Sequence, residues 1–462
     1  MISVDSRTLK YLAEGCGGCL ARGSPDARVA RVCTDSRQAR AGDLFVALAG
    51  ERFNGHEFVS QAVRQGAAAV LVEQEPPAGT PAAVIRAANT RQALGRLAAC
   101  YRRDFGLPIV AVAGSNGKTT TKDLIAAVLR QKYSTLHSEA SFNNDVGVPL
   151  TLLRLESVNE AAVLEAGTNH PGELAPLVRM IEPVYGVITS IGREHLEFFG
   201  DLAGVAEEEG WLPELLPAAG RLFINADSPM IERLERRTRA AVVRVGLGPG
   251  NDWRARLTTV DDTGTTFGVT APVVSCGGEY RLPLLGRHQV ANALLAIAVG
   301  AQFGLTRREI QRGLTACPPP RMRLQLWETN GIRVLDDAYN ANADSMRAAL
   351  QTLHDLPCAG RRVAVLGDMN ELGTAAATAH AEVGALAAEL GVNHLFAIGK
   401  HATVMGQSAR RAGLIQVAEY DGVDGAAEAL KRLVQKDDLV LIKASRAVRL
   451  ERVGDVLKGA TN

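Results

Sequence analysis

Short apolar runs rich in β-branched residues recur along this chain. They alternate with Ala- and Leu-rich stretches of helical spacing. The runs fall at Ile109 to Ala113, Ala162 to Glu165, Gly186 to Ser190, Gly331 to Asp336, Val363 to Gly367, Leu395 to Gly399 and Leu439 to Lys443. Glycine stands at many of the joints. Strands alternating with helices predict parallel α/β sheets covered on both faces. Trp253 to Pro283 breaks the rhythm: it reads β-rich and is expected to add antiparallel strands to the central sheet. No fixed-period repeat is visible, which argues against a solenoid.

Two joints divide the pattern. One is the charged stretch YRRDFGLP (Tyr101 to Pro108), just before a strand. The other is TACPPPRMR (Thr315 to Arg323), where three consecutive prolines stop a helix and stiffen the chain. The expected domains are therefore 1–104, 105–318 and 319–462. A length of 462 residues, at roughly 150 per domain, agrees with three.

Composition narrows the class. Fifty-one basic and 50 acidic residues leave a net charge of +1. A protein that neutralises nucleic-acid phosphates would carry a cationic surplus, so no nucleic-acid partner is expected. The 47% hydrophobic and 22% charged fractions are those of a globular protein and exclude disorder as the main state. No window reaches the ~18 apolar residues of a membrane helix. The opening MISVDSRTLKYLAEG lacks the basic and apolar regions of a signal peptide. Seven cysteines, at 16, 19, 33, 100, 276, 317 and 358, form no disulfide framework and suit reduced thiols in a cytoplasm. Cys16 and Cys19 make one CxxC without a second pair. Only Cys33 and His56 follow nearby, so two small residues in a Gly-rich turn is the expected reading, ahead of zinc.

The strongest local signal is IVAVAGSNGKTTTKDLIAAVL (Ile109 to Leu129). A strand ends at Ala113, a tight loop follows, and Lys118 and Thr119 open a helix with Leu124, Ile125, Val128 and Leu129 on one face. Gly114 and Gly117 let backbone N–H groups approach an anion. The helix N-terminus adds its dipole, Lys118 a charge, and Thr119 a hydroxyl for Mg²⁺. The spacing is GxxGKTT, with Val112 near where a longer phosphate loop has its first glycine. Glu165 ends the strand AAVLE, and His195 follows another strand in VITSIGREHLEFFG. Strand ends are where open parallel sheets bind ligands, so these two side chains beside a phosphate loop predict a two-metal site. A solvated acid and an ordinary loop histidine are the alternatives.

Several segments in order carry a resemblance to a known family. They are CTDSRQARAGDLFVALAGERFNGHEFVSQAVRQGAAAVLV (Cys33 to Val72), SFNNDVGVPLTLL (Ser141 to Leu153), GRHQVANALLAIAV (Gly286 to Val299), VLDDAYNANADSM (Val334 to Met346) and VAVLGDMNELG (Val363 to Gly373). With the phosphate loop, they make the chain resemble the Mur ligase family of peptidoglycan biosynthesis over nearly its whole length. DDAYNAN is most similar to the members that add D-alanyl-D-alanine. The resemblance implies a small N-terminal α/β domain that binds the UDP end of the substrate, a central phosphate-loop ATPase-like sheet, and a C-terminal Rossmann-like α/β domain. It implies ATP and Mg²⁺ as cofactors, and UDP-N-acetylmuramoyl-tripeptide and D-alanyl-D-alanine as substrates. The protein is expected to be cytoplasmic, without a membrane span, and monomeric.

The resemblance also implies roles. Gly114, Ser115, Asn116, Gly117, Lys118, Thr119 and Thr120 would hold the ATP phosphates, with Thr119 on the first Mg²⁺. Glu165 would be a metal ligand and His195 would bind the second metal. Lys118, Glu165 and His195 would carry the chemistry. Asn292 would meet adenine, Arg323 the phosphates and Asp337 the ribose. Asp35, Ser36 and Arg37 would lie near the UDP end. Asn143, Asn144, Thr168, Tyr339, Asn340 and Asn342 would meet the sugar-peptide substrate. The chain departs from the family in four places. Where a CO₂-carbamylated lysine is usual after His195, the stretch reads GVAEEEGWLPELL, and Glu209 is expected to supply the missing carboxylate to metal. The alternative there is a solvated acidic helix start, favoured by the dipole. EAGTN stands for the more usual EMGAN, Ala343 for a proline, and Ala444 for a glycine whose loss would strain any positive-φ position. The competing readings are a sister ligase, a folylpolyglutamate synthase, a phosphate-loop regulator or transport ATPase without ligase chemistry, and a nucleic-acid helper ATPase.

Overall fold

The structure is a computed structural model that describes residues 6–50 and 53–459. The first five residues of the opening stretch, with Glu51, Arg52 and the last three residues, lie outside the described residues. Besides a two-stranded antiparallel pair of Arg7–Thr8 with Arg28–Val29, the alternating pattern folds into three large helix-covered sheets. The first has five strands in the order Cys19–Arg22, Ala83–Arg86, Ala69–Val72, Asp43–Val46 and Arg31–Cys33, parallel except for the first.

The central sheet has nine strands. From one edge they run Gly278–Leu282, Gly264–Thr270, Trp253–Asp261, Ala241–Gly246, Arg221–Asn225, Tyr185–Ile188, Ile109–Ala113, Ala161–Glu165 and Thr135–His137. The β-rich stretch supplies the first three strands, antiparallel to one another, as its composition suggested. Strand order reverses at Ile109–Ala113, which lies between Ala161–Glu165 and Tyr185–Ile188. A ligand crevice opens at such a switch point, beyond the carboxyl ends of the strands.

Side-chain alternation divides the central strand between two cores. Ile109, Ala111 and Ala113 join a cluster that also holds Leu94, Leu97, Ala98 and Tyr101 of the helix Thr90–Arg102. Val110 and Val112 pack with Leu124, Ile125, Val128 and Leu129 of the helix Lys118–Leu129 and with Val290, Leu294 and Ile297 of His288–Gln302. The joint at Tyr101 to Pro108 is welded. Tyr101 is fully buried and donates to Leu155 O at 2.8 Å, and Arg102 donates to Ile181 O at 2.9 Å and Phe105 O at 2.8 Å.

The third sheet runs Gln325–Thr329, Ile332–Asp336, Leu439–Lys443, Arg362–Gly367, His394–Ile398 and Gln416–Tyr420, parallel except for its first strand. Asn330 and Gly331 turn the opening hairpin with φ of 51° and 74°, a pair suited to the right-handed strand twist. Its two cores lie on opposite faces and draw almost wholly on this domain. Ala444, where strain was expected, is fully buried without a positive φ, so the missing glycine costs nothing there. Ala343 is the first residue of the helix Ala343–Asp355, after its Asn342 cap. That position leaves a backbone N–H unused within the helix, so proline and alanine both fit.

Candidate functional site

The phosphate loop hangs on the carboxyl end of Ile109–Ala113 and leans on the neighbouring strand's exit. Ser115 N–H donates to Ser190 O at 2.8 Å, Asn116 N–H to Ser190 Oγ at 2.9 Å, and Gly192 N–H to Ser115 Oγ at 2.8 Å. Gly114 has φ 115°, and a Cβ there would lie 2.8 Å from Ser190 O and 2.6 Å from Thr189 Oγ1. Gly117 has φ 86°, and its Cβ would lie 2.5 Å from Asn292 Oδ1. Only glycine fits either place. Asn292 is buried and donates to Gln289 Oε1 at 2.9 Å. Thr119 and Thr120 are buried in the first helical turn.

Lys118 turns its ammonium back into the loop. It donates to Gly114 O, to Ser115 O at 3.2 Å and to Glu194 Oε2 at 3.4 Å. Around it lie three buried carboxylates: Glu165 is 1% exposed, Glu194 6% and Glu209 0%. Asn143 Nδ2 donates to Glu165 Oε1 at 2.8 Å. Four carboxylate oxygens, Glu165 Oε2, Glu194 Oε1 and both of Glu209, are buried with no hydrogen-bond partner. Buried acceptors are normally paired. Three carboxyl groups share one ammonium in this buried site, and hard oxygens of this kind fit a divalent cation.

The titration behaviour follows from this arrangement. Burial pushes the Glu209 carboxyl up to about 8; Lys118 opposes the shift and Glu194 reinforces it. Burial works against the Lys118 ammonium, but Glu194, Glu209 and Glu165 together outweigh it and hold its pKa above that of an ordinary lysine.

The acidic run at 207–209 ends the helix Leu202–Glu209; it does not start one. The solvated helix start is therefore wrong: Glu207 is exposed, while Glu208 and Glu209 are buried. Glu208 is spent structurally, accepting from Gly172 N and Leu174 N, each at 2.8 Å. Thr168, beside it, donates to His170 O at 2.8 Å. His195 sits in the left-handed region at φ 49° and pairs through Nδ1 with Glu371 of the third domain. Among the described residues, Glu165, His195 and Glu209 do not bring their ligand atoms together within 4.8 Å as a trio. The group that does is Asp368, His380 and His401. None of the cysteines joins such a group, and all seven are free. Cys16 ends a helix and Gly17 caps it with φ 67°, so the CxxC is a helix stop.

The third domain closes over the loop. Asn342 Nδ2 donates to Asn116 Oδ1 at 3.0 Å, Arg193 N–H to Asp344 Oδ2 at 2.7 Å, and Arg323 Nη2 to Thr119 Oγ1 at 3.3 Å. Arg323 also stacks on the Tyr339 ring at 4.2 Å, and the Tyr339 hydroxyl is 2.6 Å from Ser141 Oγ. Asp337 pairs with Lys443 Nζ at 2.6 Å, and Lys443 also donates to Asn340 O at 2.8 Å. Asn144 is occupied as a turn cap, accepting from Val146 N and Gly147 N. The N-terminal trio stays within its own domain. Asp35 accepts from Arg37 N at 3.0 Å and pairs with the exposed Arg37 side chain, and buried Ser36 meets Gln61 Oε1 at 3.0 Å.

Sequence reading missed Glu194, Lys443 and Glu371. Glu194 immediately precedes His195 at the same strand exit, so the strand-end argument applied to it equally. The partners of Lys443 and Glu371 come from distant segments, and no local pattern announces them.

A phosphate loop at a sheet switch point, facing a buried carboxylate cluster and capped by a separate α/β domain, defines a nucleotide-dependent enzyme of the phosphate-loop class. The chain matches the Mur ligase family catalytic domain over residues 28–102, the Mur ligase middle domain over 112–300, and the Mur ligase glutamate ligase domain over 322–446. It is 37% identical over 452 residues to the UDP-N-acetylmuramoyl-tripeptide–D-alanyl-D-alanine ligase of Bacillus subtilis, covering 97% of each chain. The crystal structure of MurF from Acinetobacter baumannii superposes with a TM-score of 0.90 at 30% identity, covering 99% of this chain and 100% of that one. MurF ligase from Thermotoga maritima, in complex with ADP, superposes at 0.81 with 26% identity, covering 93% and 97%. The chain belongs to the Mur ligase family.

Proposed function

We propose that this protein is an ATP-dependent ligase that joins D-alanyl-D-alanine to the terminal carboxylate of UDP-N-acetylmuramoyl-tripeptide. The products are the pentapeptide precursor of peptidoglycan, ADP and phosphate. The observation that carries the reading is full-length similarity to ligases of that name, together with a phosphate loop whose lysine faces three buried carboxylates.

A carboxylate is a poor electrophile because its leaving group would be oxide. Transfer of the γ-phosphoryl group of ATP to a carboxylate oxygen releases ADP and makes an acyl phosphate. The dipeptide amine attacks the acyl carbon, loses a proton, and inorganic phosphate leaves with the C–O bond pair. Two anions meet in the first step, so charge neutralisation dominates the barrier. Lys118 and the N–H groups at the start of its helix, from Gly117 to Thr119, hold the β- and γ-phosphates, while the Ser115 and Asn116 N–H groups stay on Ser190 and set the loop's shape. Thr119, Glu165 and Glu209 would hold Mg²⁺, which when bound screens the phosphates from the attacking carboxylate. Arg323 leaves Thr119 for the phosphates, and Asn292 meets adenine beside Gly117. Asn143, tethered to Glu165, and Tyr339, tethered to Ser141, face the peptide. Asp35, Ser36 and Arg37 serve the UDP end. The docked third domain keeps water from the acyl phosphate.

Lys118→Ala tests the reading. ATP-dependent product formation is expected to fall at least about a thousandfold, with the circular dichroism spectrum unchanged. A folded variant with near-normal turnover would reject it.

A further inference from the structure

We propose that Glu194 is a cation-binding carboxylate acting as a pair with Glu209, and that in the nucleotide-free protein the Lys118 ammonium stands in for that cation. The inference rests on the reading of Lys118 as a phosphate-binding residue.

Glu194 is 6% exposed and its Oε1 has no hydrogen-bond partner. Its other oxygen faces Lys118 at 3.4 Å. Glu209 is fully buried; the Gly114 N–H faces it, and neither of its oxygens completes a hydrogen bond of normal geometry. An acid kept for structure would look like Glu208, with its oxygens taken by Gly172 N and Leu174 N. Glu194 instead spends one oxygen on a movable ammonium and leaves the other open. Lys118 meanwhile directs its donors at Gly114 O, Ser115 O and Glu194. To reach a phosphate it must give up Glu194. A divalent cation bound by Glu194 and Glu209 would replace the ammonium in their field and release Lys118. Metal and nucleotide then bind with positive coupling.

This exchange gives Glu194 two effects of opposite sign. It helps bind the cation, and it restrains Lys118 when no cation is present. A merely structural glutamate would shift both in the same direction. The experiment uses the full chain, with Mn²⁺ as the metal probe read by electron paramagnetic resonance and ADP binding read by calorimetry. Glu194→Gln is expected to weaken Mn²⁺ binding in the presence of ADP by about tenfold or more. It is expected to tighten ADP binding in chelator by about threefold. Glu194→Ala should move both affinities the same way as Glu194→Gln, and thermal unfolding checks that each variant is folded. Unchanged Mn²⁺ affinity in folded variants overturns the proposal, as does a parallel loss of both affinities. Lys118→Ala is measured alongside. Wild-type ADP affinity in that variant would sink the phosphate-loop reading itself, whatever Glu194 does.

Discussion

Replacing Glu209 with glutamine should make the metal-free protein more stable than wild type in alkaline solution, while abolishing its ligase activity. Glu209 is fully buried and completes no hydrogen bond of normal geometry, although the Gly114 N–H faces it, and burial raises its carboxyl from 4.5 to about 8. Between those values the folded protein holds a proton that the unfolded chain has released. Stability therefore falls as pH rises through that window. The slope is at most about 1.4 kcal/mol per pH unit, and the whole span amounts to about 5 kcal/mol. Glutamine cannot ionise and removes the slope. Its own unpaired amide costs about 1–3 kcal/mol, much as the neutral acid does at pH 5. The two proteins should thus match near pH 5 and separate by a few kcal/mol near pH 8.5. Urea unfolding in EDTA at half-unit pH steps measures this. Added Mg²⁺ and nucleotide should flatten the wild-type curve, because a cation stabilises the ionised form. Parallel pH curves for wild type and Glu209→Gln would refute the reasoning.

Other outcomes follow from the same geometry. Lys122 is fully buried and donates to Ser138 O at 2.7 Å and Ala140 O at 2.9 Å; Lys122→Met should cost about 2–4 kcal/mol in urea unfolding, because both carbonyls lose their donor. Tyr339→Phe removes the contact with Ser141 Oγ and should raise the peptide-substrate KM more than it lowers kcat, as steady-state kinetics will read. The first domain joint is packed and the third domain keeps its own cores, so opening should swing the third domain alone. Small-angle scattering should show that change in the nucleotide-free enzyme, and hydrogen exchange around Tyr101 should stay slow throughout.

Much of this was legible in the chain. The strand Ile109–Ala113 and the helix Lys118–Leu129 were readable because a buried parallel strand is a continuous apolar run and the loop glycines are forced by close packing. The β-rich addition at 253–283 was readable from its β-branched and aromatic residues, which suit antiparallel strands with one face covered. The joint at Tyr101 looked like a linker because its charges suggested exposure; the structure spends Arg102 on the carbonyls of Ile181 and Phe105, pairs Arg103 with Glu182, and ties Asp104 back to Arg7 and Tyr11. The acidic run at 207–209 gave composition without direction. Which of the three acids points inward depends on helical phase and on what the helix packs against. Contacts such as His195 with Glu371 and Asp337 with Lys443 join residues more than a hundred positions apart, and only the fold brings them together.

The most direct test is phosphate release from Mg·ATP with UDP-N-acetylmuramoyl-tripeptide and D-alanyl-D-alanine, supplied together and singly in bicarbonate-free buffer, with mass detection of the product. The account predicts release only when both substrates are present, and a product heavier by the dipeptide less water. ATP hydrolysis without that product would contradict it.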